Sequence, residues 1–191
     1  MINHRCNTRP ANRQQGVALI TGLIFLVVLT FISVTAARMS SLEERMSGNM
    51  RDRSLAMQAA EMALRDAERD IRGGAGITRA PAISGLTNFD SACTAGLCYN
   101  GPAGNANGTN WTTTPVWSLP MVNNMTAAPS VAYGTNTGAI GNAVLSAQPR
   151  YIIEGIEKNG SGTTVYYYRI TVRAQGANAN TVVWLQEVYR P

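Results

Sequence analysis

Side chains able to do covalent or acid-base chemistry are scarce in this chain, and their positions restrict what they can do. The cysteines are Cys6, Cys93 and Cys98, and the single histidine is His4. Cys93 and Cys98 are spaced to close a small disulfide loop, as an oxidising compartment favours, or to supply half of a metal site. Two thiolates need further ligands, and His4 and Cys6 both lie in a basic N-terminal segment that reads as a leader to be removed. The expectation is a disulfide, with no metal and no cofactor. Glu43 and Glu44 are adjacent carboxylates, but neighbouring helix positions point about 100° apart, so they do not converge on one substrate. With His4 gone, neither a Ser-His-Asp nor a Cys-His arrangement can be built. A Walker loop, an aspartate-rich EF-hand loop and a strand-linked GxGxxG are all missing. Nothing here points to an enzyme.

The other chemically informative position is a peptide bond, Gly16–Val17. Before it, residues 1–16 hold Arg5, Arg9 and Arg13 and no acidic residue; after it, residues 17–37 carry no charge. A glycine lets a peptidase approach the backbone without obstruction. A secretory signal cut after Ala36 or Ala37 is the alternative, although such apolar regions usually run about 7–15 residues and this one exceeds 20. As a helix rising about 1.5 Å per residue, residues 17–37 cover the roughly 30 Å core of a bilayer. The positive flank keeps the N-terminus in the cytoplasm and places the remainder outside.

These positions need elements to carry them. Beyond Arg38 the apolar spacing continues through Met39, Leu42, Met46, Met50, Met57, Ala60, Leu64, Ala67 and Ile71, a helical stripe for a sheet to cover. Charged residues including Asp52, Asp66, Glu68 and Arg69 fall between them and read as a solvated face. Gly48-Asn49 is a weak point within this helix, and Gly73-Gly74-Ala75-Gly76 ends it. Residues 73–147 are rich in Gly, Asn, Thr, Ala and Pro and read as a connecting region with the cysteine loop; Trp111 and Trp117 there either anchor onto the sheet or contact partners. Residues 150–156, 163–174 and 181–190 are β-branched and aromatic, separated by turn-forming KNGSG and GANAN. The prediction is an α+β fold, a long N-terminal helix packed on a C-terminal antiparallel sheet spanning 148–191. Tyr166, Tyr168, Ile170 and Val172 should face the helix. The net charge of +5 falls to +2 without the leader, thirteen basic against eleven acidic side chains, with no cluster that would serve nucleic acid.

The basic leader, the glycine, the apolar run and its amphipathic continuation together resemble the N-terminus of type IV pilins and pseudopilins. Residues 41–68, SLEERMSGNMRDRSLAMQAAEMALRDAE, resemble the N-terminal region of PilX-type minor pilins, and QPRYIIE at 148–154, YYYRITVRAQG at 166–176 and ANTVVWLQEVYR at 179–190 resemble that family's C-terminal domain. The resemblance implies cleavage between Gly16 and Val17 by prepilin peptidase and N-methylation of Val17. It implies an inner-membrane subunit with a periplasmic domain that passes through the assembly platform into the pilus. The implied partners are the major pilin, the V-, W- and E-type and FimU-like minor pilins and a tip-associated adhesin. Where most pilins carry glutamate at the fifth mature position, this chain has Thr21. In that it is similar to the K-type pseudopilins placed at filament tips, which makes a tip subunit of a type II secretion system the second reading. The third is a signal-anchored binding module unrelated to filaments.

Overall fold

The computed structural model describes residues 15–80, 82–99, 124–160 and 163–191. Most of the leader, Trp111 and Trp117 lie outside the described residues. The chain divides into two units, residues up to Gly48 and residues from Asn49 onward, each described by itself.

Helix α1 spans Gln15–Arg72. From Gly16 to Gly48 every residue is exposed, including the large apolar side chains Leu19, Phe25, Leu26 and Phe31. In the second unit α1 carries a buried stripe made of Ala56, Ala59, Ala60, Ala63, Ala67 and Ile71. This corrects the expected stripe. Of its nine positions only Ala60, Ala67 and Ile71 are buried; Met57 and Leu64 are partly so, and Met39, Leu42, Met46 and Met50 are exposed. Alanine lets a helix axis approach a sheet more closely than methionine or leucine would, and the bulky sheet residues fill the space. Gly73, at φ +66°, closes the helix, its N–H reaching the Arg69 carbonyl at 3.1 Å. That is the left-handed conformation a helix C-terminus favours.

The sheet contains β1 (Leu97–Cys98), β2 (Val131–Ala132), β3 (Arg150–Gly160), β4 (Thr163–Gln175) and β5 (Val182–Tyr189). Strands β3, β4 and β5 form the expected antiparallel meander, with Gly160 opposite Thr163 and Gln175 opposite Val182. The region expected only to connect contributes two short strands, both to the other side of β3: β1 runs parallel beside Ile153 and Glu154, and β2 runs antiparallel beside Tyr151 and Arg150. The sheet is therefore mixed, although its large strands are antiparallel. Alternation places Tyr151, Ile153, Tyr168, Ile170, Val172 and Ala174 on the face that packs against the alanines of α1. The opposite face is covered over β3 and part of β4, while Val182, Trp184 and Val188 of β5 on that face are exposed. Ile152 is buried with Cys93, Cys98 and Met125, and Glu154 pairs with Arg169, whose Nε donates at 2.8 Å. Burial pushes the Glu154 carboxyl up, opposed by the charge of Arg169.

Gly155 belongs to the helix-facing side of β3, and a Cβ there would collide with Leu86. Its missing side chain admits Leu86 and Phe89 against the strand, and the Phe89 ring stacks on Tyr168 with centroids 5.6 Å apart.

Candidate functional site

The features expected to carry function fall in two places. In the first unit, Gly16 and Val17 occupy the opening turn of α1, and Thr21 lies one turn on. The Thr21 hydroxyl bonds to the Val17 carbonyl at 2.9 Å and lies 3.1 Å from that of Ala18. Thr30, Ser33 and Thr35 do the same with the carbonyls of Val27, Leu29 and Phe31. The hydroxyls of residues 17–37 are thus turned onto their own helix, which removes the cost of an unsatisfied donor in hydrocarbon. The helix is long and apolar enough to cross a membrane, and its apolar window is wholly unburied. It supplies a membrane anchor, and its exposed side chains need lipid or other helices around them.

In the second unit, Cys93 and Cys98 are bonded as a disulfide. The loop they close is tightly wound, with Cys93 at φ +60° and Ala95 at +53°. Asp90 stabilises it by accepting the Thr94 N–H at 3.0 Å. Hydrogen bonds from Thr94, its hydroxyl first and its N–H next, hold the Asp90 carboxyl below its ordinary value.

A polar constellation joins this loop to α1. Asp70, 2% exposed, receives Nε of Arg79 at 2.7 Å and Nη2 at 2.5 Å, the Tyr151 hydroxyl at 2.8 Å and the Asn136 amide at 2.9 Å. Nη1 of Arg79 donates to the Ala95 carbonyl inside the disulfide loop at 2.9 Å. One helical turn earlier, Asp66 accepts the Gly134 N–H at 2.9 Å and the Thr137 hydroxyl. These two carboxylates fasten the segment around Arg79, the turn at 134–137 and the disulfide loop to one face of α1. Burial pushes the Tyr151 phenol up, and the neighbouring Asp70 charge adds to the shift.

Asp66, expected on a solvated face, is instead only 4% exposed, and Arg79, for which the sequence shows no role, is 8% exposed. A signal was present. Asp66 and Asp70 are one turn apart and in line with Ala59, Ala63 and Ala67, and Arg79 is the sole basic residue of an otherwise almost uncharged stretch. A third carboxylate, Asp52, accepts the N–H groups of Ala177 and Asn178 at 2.6 and 3.3 Å. The Thr181 hydroxyl, followed by these N–H groups, holds its carboxyl below the ordinary value, so Asp52 fixes the β4–β5 turn to α1.

Among the described residues no group of three or more His, Cys, Asp or Glu is placed to hold a metal. Asp52, Asp66, Asp70 and Asp90 each hold a loop or turn in place by accepting hydrogen bonds.

Comparison with known families accounts for both ends of the chain. A model described as type IV pilus assembly protein PilX C-term matches residues 94–191, and one described as PilX N-terminal matches residues 15–65. Neither the curated proteins nor the solved structures gave a match.

Proposed function

We propose, of a chain that belongs to the PilX family of type IV pilus assembly proteins, that it acts at the pilus tip in the complex that primes polymerisation. The family makes it a structural minor pilin working with other pilus components. The finer placement rests on Thr21. A carboxylate inside an apolar segment is costly and is retained where it has a partner. In pilins that partner is taken to be the N-terminal amine of a neighbouring subunit, and Thr21 has only a hydroxyl, turned onto its own helix. A subunit with no neighbour above it has no amine to neutralise, which fits the first subunit of a filament.

In this reading prepilin peptidase cuts Gly16–Val17, Val17 is N-methylated, and residues 17–37 hold the subunit in the inner membrane with its domain in the periplasm. On assembly the same apolar surface exchanges lipid for the helices of other subunits. The sheet domain meets the V-, W- and E-type and FimU-like minor pilins and the tip-associated adhesin.

Deletion of the gene tests the priming role. Surface pili should fall severely and return with the wild-type chain, and gold-labelled antibody should mark one end of each filament. Normal pilus numbers, or label spread along the shaft, would overturn the tip assignment. Thr21→Glu sharpens the test, since it should move part of the label from the end into the shaft.

A further inference from the structure

Within the second unit, the loop between β2 and β3 presents Ile140 at 91% exposure, the most exposed large apolar side chain among the described residues, and Val144 at 63%. A single exposed apolar residue needs no account, but these two share a loop that is braced on both sides of Ile140. Before it, Gly134 at φ +75° lets the chain fold back so closely that a Cβ would lie 2.0 Å from the Ala139 carbonyl oxygen, and the Gly138 N–H reaches the Gly134 carbonyl at 2.8 Å. The Thr137 hydroxyl, bonded to Asp66, ties this turn to α1. After it, the Gln148 amide accepts the Asn142 N–H at 3.1 Å and donates to the Asn142 carbonyl at 2.8 Å, Leu145 is buried in the core, and the Ser146 hydroxyl donates to the Gly176 carbonyl at 2.8 Å. The backbone that carries Ile140 is thus ordered before any partner arrives, which lowers the entropy lost on binding.

We propose that this loop is a docking knob, with Ile140 at its tip and Val144 beside it in sequence, that enters an uncharged apolar hollow on another pilus subunit. Charge sets the chemistry of the partner. Residues 91–149 contain no acidic or basic side chain, so a charged surface brought against the loop would lose water without gaining a counter-charge. Nucleic acid is recognised through cations on its phosphates, and segments that lie in a lipid surface carry Lys or Arg for the headgroups; the loop has neither. What complements it is a neutral, apolar protein surface. Two hollows on this chain's own second unit carry charge, Arg72 beside Ile71 and Ile83, and Arg53 and Glu61 beside Met50 and Met57, so the match falls to a different subunit. The proposal rests on the chain being a pilus subunit and does not depend on its place in the filament.

The test puts p-benzoyl-phenylalanine in place of Val144 in the full chain, irradiates intact piliated cells and sequences the cross-linked peptide. The expected product joins position 144 to another pilus subunit at an apolar segment free of Asp, Glu, Lys and Arg. Its yield should fall roughly tenfold or more with Ile140→Asp, which drives a carboxylate into the hollow, less with Ile140→Ala, which adds no charge, and hardly at all with Ile140→Leu. A cross-link to a charged segment, to a second copy of this chain, to lipid or to a protein outside the pilus overturns the proposal, as does no cross-link or one indifferent to residue 140. Immunoblots of sheared pili, run alongside, report whether the chain enters filaments. A chain that enters pili without the cross-link breaks the docking proposal alone; absence from pili would break the tip reading, while the cross-link in the membrane-held pool would still decide the loop.

Discussion

The two halves of α1 are built to opposite rules within one helix. Residues 17–37 are large and apolar, and every one of them is exposed. Residues 56–71 bury a stripe of alanines together with the carboxylates of Asp66 and Asp70. In the first half surface is left for a solvent or partner the domain does not supply, so bulk and hydropathy are useful; in the second the sheet is the partner and close approach matters more. Helical periodicity is common to both. The size of the side chains and the presence of bonded acids tell them apart.

The widest separation between the halves should come from the buried carboxylates. Asp70→Ala leaves the Arg79 guanidinium buried without its carboxylate, and such a loss costs about 3–5 kcal/mol. Thermal unfolding of the sheet domain, followed by circular dichroism of the full chain in detergent, should show a large fall in midpoint. An unchanged midpoint would mean that the constellation does not hold the domain together.

Side-chain size is the next lever. Ala63 is fully buried, and Ala63→Leu should cost toward the upper end of roughly 1–3 kcal/mol by forcing helix and sheet apart. Leu26→Ala, in the exposed half, should leave the same unfolding midpoint where it was. Equal effects of the two would erase the contrast.

Removing the disulfide acts on the far face of the sheet. Cys93→Ser with Cys98→Ser should cost about 2 kcal/mol by the chain-entropy relation for so small a ring. The loss of midpoint should match that of the wild-type chain under reductant.

The smallest effect separates carboxylates by the sign of their response to acid. Asp52 and Asp90 are held below the ordinary carboxylate value, so their contribution is present above about pH 4 and is lost as pH falls through their lower native values. Glu187 is pushed up, first by burial and then by the nearby Glu68 charge, so its ionisation opposes folding as pH rises above 4.5. Glu187→Gln should therefore raise the midpoint slightly at pH 7, and the gain should vanish below pH 4. A gain that grows on acidification would reverse the assignment.

The helix end and the meander were legible in the sequence because each is written locally. Gly73 follows a long periodic run, and KNGSG and GANAN interrupt alternating β-branched segments. Strands β4 and β5 fall within a residue of their expected limits, whereas β3 runs past the expected 156 to Gly160: Lys158, Asn159 and Gly160, expected in the turn, pair with Val165, Thr164 and Thr163. Strands β1 and β2 were not legible, because two residues in a Gly- and Asn-rich region carry no period; their pairing comes from the edge of β3. The alanine stripe was obscured by the more hydrophobic methionines beside it. The Asp70–Arg79 pair was hidden because acids on an amphipathic helix are normally solvated, and only the fold shows the chain returning over them. As for the candidate site, the cysteine pair was legible in the sequence, but the residues that fasten the disulfide loop to the helix were not.

The central claim is that the exposed half of α1 is a processed filament helix, and mass spectrometry of the chain recovered from sheared pili tests it most directly. The account predicts a mature chain beginning at N-methylated Val17, and an unprocessed chain confined to the membrane when prepilin peptidase is absent. A chain beginning near Arg38 or still at Met1, or one missing from the pili altogether, would contradict it.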